Sequence, residues 1–424
     1  MASACTSLSK LVVVGQGYVG LPLAMRAVAV GYDVVGFDTD ENRVKRLGAG
    51  ESMVEDIRSG ELQAALAGGH YRPTSDPDDV AGFDVAVISV PTPLTDGVPD
   101  LSCIRAAAET LAPHLKVGAC VVLESTTYPG TTEELVGPIL EAGSGLVVAD
   151  DFSLGYSPER IDPGNPEWTF VNTPKVVSGV DAGSLEAVRS FYGSMVETTV
   201  PLASTKEAEL TKLLENTFRH VNIAMVNELA MFAKELGIDI WNAIDAASTK
   251  PFGFMPFHPG PGVGGHCLPV DPSYLAWRVR RTLGQPFRFI ELANDVNDHM
   301  PDYVVTRLAA AFNRRGLAVR GRTVLLMGFA YKRNTSDARE TPARVVARLL
   351  NTYGARVLVA DPHVDERDLP SDVERVDATT EEIAAADAVV LLADHDAFDF
   401  VAMGAAALVL DCCHRLSGAN VEVL

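Results

Sequence analysis

The sequence predicts an α/β fold in which two doubly wound parallel sheets are joined by a long central helix and a small helical middle domain. Near each end of the 424-residue chain, short apolar and β-branched runs alternate with helical patterns, as they do in parallel sheets covered by helices. One long helical pattern separates the two sets of runs. We therefore expect Rossmann-like domains at 1–203 and 317–424 and a central helical domain at 204–316.

Composition limits the kinds of partner. A net charge of −21 repels nucleic acid and anionic membranes, so we expect neither as a partner. None of the six cysteines forms a C-x-x-C pair, which favours a reducing cytoplasm and predicts no zinc site. The opening segment 1–10 lacks the apolar core of a signal peptide, and no run reaches the roughly 18 apolar residues of a membrane span.

The first domain opens with a dinucleotide-binding pattern. An apolar strand, Leu11–Val14, leads into a G-x-G-x-x-G motif formed by Gly15, Gln16, Gly17, Tyr18, Val19 and Gly20. A helical pattern follows as far as Gly31, and the second strand, Asp33–Phe37, ends at Asp38. The glycines allow the backbone to approach a pyrophosphate, while the acid binds ribose hydroxyls and repels a 2′-phosphate. The pattern therefore favours NAD over NADP.

Three further apolar runs predict strands of the same sheet, at Val85–Val90, Ala119–Leu123 and Leu146–Ala149. Ligands of doubly wound sheets bind at the carboxyl ends of the strands. Hydroxyl and carboxylate side chains follow those ends in the segments 90–93, 124–127 and 156–160. We expect these side chains to collect where the nicotinamide lies, although any single threonine there could simply form a turn.

The middle of the chain is dominated by one helical pattern, Ser204–Leu236. Ser204 with Glu207 forms a capping box, and Gly237 is the C-cap. Apolar residues recur at steps of three and four, at Leu210, Leu214, Phe218, Val221, Met225, Leu229, Phe232 and Leu236. A helix of about 45–50 Å can run between domains and offer a dimer face. Lys212 and Asn216 are four apart and share one side of it.

Residues 258–275 contain four glycines and four prolines, a density that predicts a loop of fixed shape. Gly264 and Gly265 remove side chains just before Cys267, so a ligand could approach the thiol. Asp271 lies between two prolines a few residues later. The loop can therefore hold one reactive thiol and one carboxylate, but an Ω-loop with an inert cysteine explains the same residues. A second helix is expected over about 287–314, carrying Asn294, Asn297 and Asp298.

The last domain is predicted to be a second nucleotide fold without the glycine motif. Its strands are expected at Thr323–Met327, Arg356–Ala360 and Ala388–Leu392, with a helix at Pro342–Asn351. The turn after the first strand, 328–332, is not G-x-G-x-x-G, so a second dinucleotide should not bind in the same way. Three cations, Lys332, Arg333 and Arg339, suggest an anion such as a diphosphate, or else a solvated basic turn.

Together these motifs closely resemble the UDP-glucose/GDP-mannose dehydrogenase family, the nucleotide-sugar 6-dehydrogenases, over nearly the whole chain. The motifs occur in the family's order: G-Q-G-Y-V-G-L-P-L-A from Gly15, V-P-T-P from Val90, E-S-T from Glu124, S-P-E-R from Ser157, K-L-L-E-N from Lys212, G-G-H-C-L-P-V-D from Gly264, and G-F-A-Y-K…D-A-R-E-T-P from Gly328.

The resemblance implies a four-electron oxidation of a sugar C6 alcohol to a carboxylate, using two NAD in turn and no metal. Cys267 would add to the aldehyde to give a thiohemiacetal, which is oxidised to a thioester and hydrolysed. Lys212 and Asn216 match positions that stabilise the oxyanion. Asp271 matches the carboxylate that handles protons, and Thr126 and Glu159 match residues that position the water, with Glu159 a possible general base.

The same resemblance implies two sets of binding residues. Cofactor contacts are expected from Gly15, Gly17, Tyr18, Val19, Gly20, Asp38, Arg43, Thr92, Thr126 and Arg339. Contacts to the nucleotide-diphosphate sugar are expected from Glu159, Arg160, Lys212, Asn216, Phe257, Gly264, Gly265 and Lys332. The family commonly forms a homodimer through the long helix, so we expect one here.

Two departures from the family pattern bear on the substrate. In the glucose-oxidising branch a second glutamate follows Pro-Glu, whereas this chain has Arg160-Ile161-Asp162-Pro163-Gly164, a form more like the UDP-N-acetylhexosamine branch. Asp411-Cys412-Cys413-His414 replaces a more polar ending, and its role is open. UDP-N-acetylglucosamine-like, UDP-glucose and dTDP-glucose substrates all remain open. Two other functions are weighed: a two-electron hydroxyacid dehydrogenase with a structural cysteine, and a non-catalytic NAD-dependent binding protein.

Overall fold

The structure is a computed structural model that describes residues 9–54, 56–161, 165, 167–265 and 267–424. The chain divides into two compact units, Met1–Glu215 and Asn216–Leu424, and the division falls inside the long helix. The bounds of the three predicted domains remain predictions. The residues Asp162, Pro163 and Gly164, on which the comparison of family branches rests, lie outside the described part of the chain.

The first unit is built on a sheet that has eight strands among the described residues, in the order β10-β9-β8-β7-β4-β1-β2-β3, with β5 and β6 forming a small separate hairpin. The strands are Lys10–Val14 (β1), Asp33–Phe37 (β2), Tyr71–Thr74 (β3), Val85–Ile88 (β4), Leu94–Thr95 (β5), Val98–Pro99 (β6), Cys120–Leu123 (β7), Ser153–Tyr156 (β8), Lys175–Gly179 (β9) and Thr199–Pro201 (β10). Neighbours in the large sheet are parallel except for β8 and β9.

Helices cover both faces of this sheet. Its helices are Gly20–Ala29 (α1), Glu41–Gly48 (α2), Ser59–Ala67 (α3), Ser102–Leu111 (α4), Gly137–Ser144 (α5), Ala182–Gly193 (α6) and the first part of Thr205–Glu235 (α7). Alternate residues of β1 enter different buried clusters, Leu11 and Val13 on one face and Val12 and Val14 on the other. Because side chains of a strand alternate between faces, this split is what a doubly wound sheet requires. The predicted fold class is confirmed.

One predicted strand of this unit is wrong. The run Leu146–Ala149 makes a single bridge, from Val148 to Phe152, and Ala149 has a left-handed φ of +70°. The strand at this position is instead β8, whose sequence Ser-Leu-Gly-Tyr is not a β-branched run. A Cβ on Gly155 would lie 2.2 Å from the carbonyl oxygen of Ser178 on β9, so glycine is needed for the close approach of these two strands.

The second unit contains a fully parallel sheet that has six strands among the described residues, in the order β13-β12-β11-β14-β15-β16. These strands are Thr323–Met327 (β11), Arg356–Ala360 (β12), Glu374–Arg375 (β13), Ala388–Leu391 (β14), Val409–Asp411 (β15) and Val421–Val423 (β16). Its helices, besides the remainder of α7, are Ile240–Ser248 (α8), Cys267–Leu283 (α9), Arg288–Arg314 (α10), Pro342–Thr352 (α11), Thr380–Ala385 (α12) and Phe400–Met403 (α13). The second Rossmann-like domain and its helical neighbour are as predicted.

The predicted loop over 258–275 is only half correct. Residues 258–265 form neither helix nor strand, but α9 begins at Cys267 and includes both Pro269 and Pro272. Pro269 lies in the first helical turn, where the missing N–H of proline has no intrahelical partner, whereas Pro272 lies inside the helix and cannot donate to the carbonyl group one turn earlier. The density of glycine and proline therefore concealed a helix start, and Cys267 and Asp271 lie one helical turn apart.

The apolar stripe of α7 is left uncovered. Seven of its eight predicted members, from Leu210 to Leu236, are more than two-fifths exposed, with Leu214 at 62%. The residues that α7 buries are small or polar instead, among them Ala208, Glu209 and Asn227. Among the helices of the described residues, none has the length and apolar character that crossing a membrane requires.

Candidate active site

The glycine turn after β1 has the geometry of a dinucleotide site. Gly15 has a φ of +93°, and a Cβ there would lie 2.5 Å from the carbonyl oxygen of Ser89. A Cβ on Gly20 would lie 1.8 Å from the Gly15 carbonyl oxygen, so these two glycines permit the turn and the packing of α1. A Cβ on Gly17 would meet nothing within 4 Å. The middle glycine therefore faces open space, where a pyrophosphate can approach the backbone.

The start of α1 leaves room for an anion. Val19 is its N-cap residue and provides no side-chain acceptor for the first N–H groups of the helix. Tyr18, just before it, is 40% exposed. A glycine turn at a helix N-terminus favours bound phosphate, so the residues present fit the NAD pyrophosphate.

Asp38 lies at the end of β2, as predicted, and is only 6% exposed. One carboxylate oxygen accepts hydrogen bonds from the Gln16 backbone N–H and from Arg43 Nη1, both at 2.8 Å. The other accepts from the backbone N–H of Asp40 at 3.0 Å. The acid therefore joins the glycine turn to Arg43, and the structure brings together Gly15, Gly17, Gly20, Asp38 and Arg43 as one site.

Four neighbouring parallel strands bring their carboxyl ends into register, because Val14, Ile88, Leu123 and Tyr156 are successive partners across β1, β4, β7 and β8. The predicted threonines follow these ends, with Thr92 buried and Thr126 half-buried. Ser125 donates to the Val90 carbonyl oxygen at 2.8 Å and so joins two of the loops. The polar segments thus collect along one edge of the sheet.

A buried cation lies between two carboxylates at this edge. The Lys175 ammonium, on the first residue of β9, binds Glu124 Oε1 and also Glu159 Oε2 at 2.8 Å. The side chains of Glu124, Lys175 and Glu159 are 0%, 5% and 13% exposed. Glu159 also accepts from the backbone N–H groups of Arg160 and Ile161, each at 2.7 Å. Glu159 is therefore the member of this triad that reaches the surface.

The three groups have very different proton affinities. Burial raises the pKa of Glu124 to about 7, and the charge of Glu159 acts in the same direction, against the opposing effect of Lys175. Burial alone would also raise the pKa of Glu159, but Lys175 and the backbone hydrogen bonds hold it below its usual range. Burial acts to lower the pKa of Lys175, yet the two carboxylates raise it overall. Lys175 and Glu159 are therefore charged at neutral pH.

Two predicted substrate residues contact this segment. Lys212 Nζ donates to the carbonyl oxygen of Glu159 at 2.5 Å. Arg160 forms a bidentate pair with Glu215, at 2.6 and 3.3 Å, and donates to the Pro174 carbonyl oxygen at 2.7 Å. The first unit thus groups Glu159, Arg160 and Lys212, while the contact of Arg160 with substrate remains a prediction.

In the second unit the thiol and the carboxylate lie on one helix. Cys267 is exposed and is the first residue of α9, where the helix dipole favours negative charge. Asp271 is 1% exposed and accepts from Asn216 Nδ2 at 2.6 Å. Cys120 and Cys412 differ from Cys267, because both are buried and burial raises the pKa of each thiol.

The segment before the thiol is held by hydrogen bonds and close packing. The Gly260 N–H donates to Asn227 Oδ1 at 2.9 Å, and Asn227 in turn donates to Asn297 at 3.0 Å. Beside Gly264 and Gly265 the space is filled by Tyr331, whose atoms would lie 2.7 and 2.8 Å from an added Cβ. The missing side chains of these glycines make room for an aromatic ring, and the approach of a ligand to the thiol at this point remains a prediction.

The basic turn of the last domain is largely neutralised. Arg333 pairs with Asp396 and, at 3.7 Å, with Asp394. Arg339 pairs with Asp337 at 2.6 Å. The local excess of cations is thus smaller than the sequence suggested, with Lys332 half-buried on the same turn. Another predicted substrate residue, Phe257, packs edge-on against Phe218 of α7, with ring centroids 5.7 Å apart.

The environment of Asp361 agrees with the expectation that the second sheet does not bind a dinucleotide in the way of the first. It follows β12 as Asp38 follows β2, but its two oxygens accept hydrogen bonds from His395 Nε2 and from four backbone N–H groups, those of Phe329, Ala330, His363 and Val364, at 2.6–3.1 Å. Every acceptor position faces the protein, so the carboxylate is not available for ribose hydroxyls.

The Asp-Cys-Cys-His segment has a packing role. Cys412 is 1% exposed, and burial raises the pKa of both Cys412 and Cys413. His414 stacks on Trp241 with ring centroids 4.7 Å apart. Neither thiol has the exposure and anionic character that redox chemistry requires.

Two buried charged residues were not identified from the sequence. Lys175 opens the apolar strand β9, and a lysine beside an apolar run was the available signal of a buried ion pair. Glu209, also fully buried, accepts from the backbone N–H groups of Gly130 and Thr132 at 2.5 and 2.9 Å. Within the described residues, no group of three or more histidine, cysteine, aspartate or glutamate side chains could hold a metal ion.

Comparisons with known proteins agree with this geometry. Models of the UDP-glucose/GDP-mannose dehydrogenase family match residues 9–196 as the NAD binding domain, 206–299 as the central domain and 325–417 as the UDP binding domain. The chain is 39% identical over 391 residues to the UDP-N-acetyl-D-glucosamine 6-dehydrogenase of Pseudomonas aeruginosa, covering 92% of this chain and 91% of that one.

Archaeal relatives extend the agreement to solved structures. The UDP-N-acetyl-D-mannosamine dehydrogenase of Pyrococcus horikoshii is 34% identical over 394 residues, with 92% and 91% of the two chains covered. A solved structure of the Pyrococcus horikoshii dehydrogenase superposes with a TM-score of 0.88 at 31% identity, covering 98% of both chains. A UDP-glucose dehydrogenase from Pyrobaculum islandicum gives 0.87 at 29% identity, covering 100% of this chain and 98% of that one. This chain is therefore an NAD-dependent oxidoreductase acting on CH–OH groups and belongs to the UDP-glucose/GDP-mannose dehydrogenase family, close to its UDP-N-acetylhexosamine dehydrogenases.

Proposed function

We propose that this enzyme oxidises the C6 alcohol of a UDP-N-acetylhexosamine to the carboxylate through a thiohemiacetal and a thioester on Cys267. The observation that carries the proposal is the arrangement on α9, an exposed thiol at the first residue and a buried carboxylate one turn later, tied to Asn216. The choice of sugar is supported by the names of the relatives at 34–39% identity.

The thiol is needed because a free aldehyde is a poor hydride donor. Addition of Cys267 sulfur to the aldehyde carbon forms a C–S bond, and the resulting tetrahedral oxyanion can expel hydride. NAD, when bound, supplies the acceptor for the hydride of each oxidation. Water then adds to the thioester carbon, the C–S bond breaks, and the thiol is released with the carboxylate.

Lys212 and Asn216 are proposed to stabilise the oxyanion, and Asp271 to exchange protons with the thiol and the water. A cation and an amide donor aimed at the developing charge are the groups that such a step requires. Asn216 donates to Asp271 and thereby fixes the carboxylate next to the helix start. Glu159 and Thr126 are proposed to position the hydrolytic water.

A two-electron hydroxyacid dehydrogenase with a structural cysteine is the alternative. The exposure of Cys267 argues against it, because the buried Cys120 and Cys412 show the environment of structural thiols in this chain. The two reactions also differ in stoichiometry, since the proposed one forms two NADH per substrate and an acid.

The test is a panel of nucleotide sugars followed by NADH absorbance and by mass analysis of the product. UDP-N-acetylglucosamine, UDP-N-acetylmannosamine, UDP-N-acetylgalactosamine, UDP-glucose and dTDP-glucose are compared. We expect the highest kcat/KM with an N-acetylated sugar and two NADH per acid formed. One NADH with a stable carbonyl product would contradict the proposal.

Cys267→Ala is the matched variant, with Cys103→Ala as a control at a thiol that is half-buried. The first should bind NAD normally but yield no acid, whereas the second should keep full turnover. Acid formation by Cys267→Ala would remove the thiol from the mechanism.

We also propose that two copies associate through the apolar stripe of α7. A row of side chains more than two-fifths exposed, including Leu214, Phe218 and Phe232, is larger than a solitary surface residue and is typical of an interface. The cytoplasmic location expected from the cysteines remains a prediction.

A further inference from the structure

We propose that Glu124 and Lys175 control the protonation of Glu159, so that the three side chains act as one buried acid–base unit in thioester hydrolysis. The inference rests on the proposed function and deepens it. In this view Glu159 exchanges the proton with water, while Glu124 and Lys175 are positioning residues that act through it.

The sheet places the three groups in a row. Glu124 follows β7, Glu159 lies three residues beyond the end of β8, and Lys175 opens β9, and these strands are neighbours. The ammonium contacts both carboxylates, and exposure increases from Glu124 through Lys175 to Glu159. A proton on the innermost carboxylate therefore changes the charge that acts on the outermost one, both directly and through the cation they share.

Aromatic rings flank the cation of the unit. The Lys175 ammonium lies 5.1 Å from the ring centroid of Tyr192 and 5.5 Å from that of Phe170. The other titratable groups near the unit include the neutral phenol of Tyr192 on α6, the thiol of Cys120 on β7, the ammonium of Lys212 on α7, and the ion pair of Arg160 with Glu215. Both the phenol and the Cys120 thiol have raised pKa values through burial and stay uncharged.

The charge of the unit therefore depends on a single proton. With Glu124 protonated, Lys175 is balanced by Glu159 alone, and Glu159 is a weak base. With Glu124 ionised, two carboxylates share one cation, and Glu159 becomes the stronger base. Burial raises the pKa of Glu124 to about 7, so this change falls in the neutral range.

The proton balance of the step is simple. Water attacks the thioester carbon while one of its protons goes to the Glu159 carboxylate. The C–S bond then breaks with its electron pair on the Cys267 sulfur, and the proton returns through Glu159 to the sulfur or to solvent. No oxidant or further reactant is needed, because both hydrides have already left.

Glu124→Gln tests the proposal in the full-length enzyme, since the amide keeps the shape and cannot ionise. We expect the rate of acid formation in a single turnover to lose its rise through about pH 7, and to be about tenfold lower at pH 8, a fraction of the 10²–10⁴-fold that general base catalysis contributes. Formation of two NADH and the KM for the sugar nucleotide should be unchanged.

Glu209→Gln is the control, because burial also raises the pKa of Glu209 to about 7 although its carboxylate contacts Gly130 and Thr132 rather than Lys175. Glu209→Gln should keep the increase in the rate of acid formation near pH 7. If Glu124→Gln does not fold, Lys175→Met provides the test. Loss of the cation should move the increase in the rate of acid formation to higher pH. A pH profile unchanged in either variant would overturn the proposal.

A second readout does not depend on turnover. Infrared titration of substrate-free Glu209→Gln, which lacks the other carboxyl group with a pKa near 7, should show a protonated carboxyl group that ionises near pH 7 and is absent once Glu124→Gln is added. Retention of that signal in the double variant would refute the inference. Absence of activity of the wild type with every nucleotide sugar would refute the proposed function instead, while leaving the titration intact.

Discussion

Asp361→Asn should destabilise the second unit and weaken binding of the substrate nucleotide. The change replaces one carboxylate oxygen by an NH₂ group at a site where every neighbour is a donor. The amide oxygen can remain on the side that receives Phe329, Ala330 and His395. The NH₂ group then faces the backbone N–H groups of His363 and Val364, and both lose their acceptor.

The number of backbone donors that lose their acceptor sets the expected loss of stability. Each buried donor left without an acceptor costs about 1–3 kcal/mol, so two cost about 2–6 kcal/mol. For a unit of this size each kcal/mol lowers Tm by about 2–4 °C, which predicts a fall of roughly 10 °C. Burial alone would raise the pKa of Asp361, but His395 and the backbone donors hold it well below its usual range. The stability that the Asp361 carboxylate contributes is therefore present above about pH 4 and is lost as pH falls. The unfolding free energies of the wild type and of Asp361→Asn should therefore become similar in acid.

Scanning calorimetry at pH 7 and at lower pH measures this difference, and UDP titration reports the effect on the turn that carries Lys332. Asp38→Asn is the matched control, because it occupies the same position after β2 but accepts from Gln16, Asp40 and Arg43 only. It should weaken NAD binding and leave UDP binding unchanged. A loss of unfolding free energy below about 0.5 kcal/mol in Asp361→Asn would contradict this reasoning, because it would show that the backbone N–H groups find other acceptors.

Three more predictions concern other parts of the chain. Asp38→Ala should weaken NAD binding and reduce the preference of the enzyme for NAD over NADP. Unchanged affinities for both cofactors in a titration would exclude the contact between Asp38 and the ribose. The double variant Leu214→Asp with Phe218→Asp should be a monomer in analytical ultracentrifugation. Val401→Asp, a change at another exposed apolar residue, should leave the dimer intact. A monomeric wild type would contradict the proposed interface. Burial raises the pKa of Glu209 to about 7, so its folded state binds a proton that the unfolded chain loses near pH 4.3. Relative to Glu209→Gln, the wild type should lose about 3 kcal/mol of unfolding free energy as pH rises from 4.5 to 7, measured by urea titration, and parallel curves would contradict the shift.

Much of the fold could be predicted because its strands are continuous apolar runs buried on both faces. Asp33–Phe37 and Thr323–Met327 have the predicted bounds, and the glycine motif was followed by the expected helix and acid. The strand β8 was missed because Gly155 and Ser153 break the β-branched pattern, although packing against β9 requires the glycine. Local composition therefore failed to predict a strand at a position where packing against the neighbouring strand determines the residue type.

The site was predicted less completely, for a similar reason. Asp38 was identified by its place after the second strand, and Cys267 and Asp271 by the loop that carries them, whereas Arg43 was expected from the family resemblance. Lys175 was not, because its partners Glu124 and Glu159 are 51 and 16 residues away and the pairing exists only in the folded sheet. Burial and charge pairing are properties of the tertiary structure and have no fixed spacing in sequence.

The Tyr331 ring that fills the space beside Gly264 and Gly265 has a consequence for protein engineering. A chimera that takes its carboxyl-terminal sheet from a protein without the G-F-A-Y-K motif, to which Tyr331 belongs, would bring a foreign residue against the two glycines. Exchanging only 317–424 would therefore disturb the segment leading to Cys267. A productive junction should lie upstream of 258, so that the thiol segment and its aromatic neighbour are inherited together.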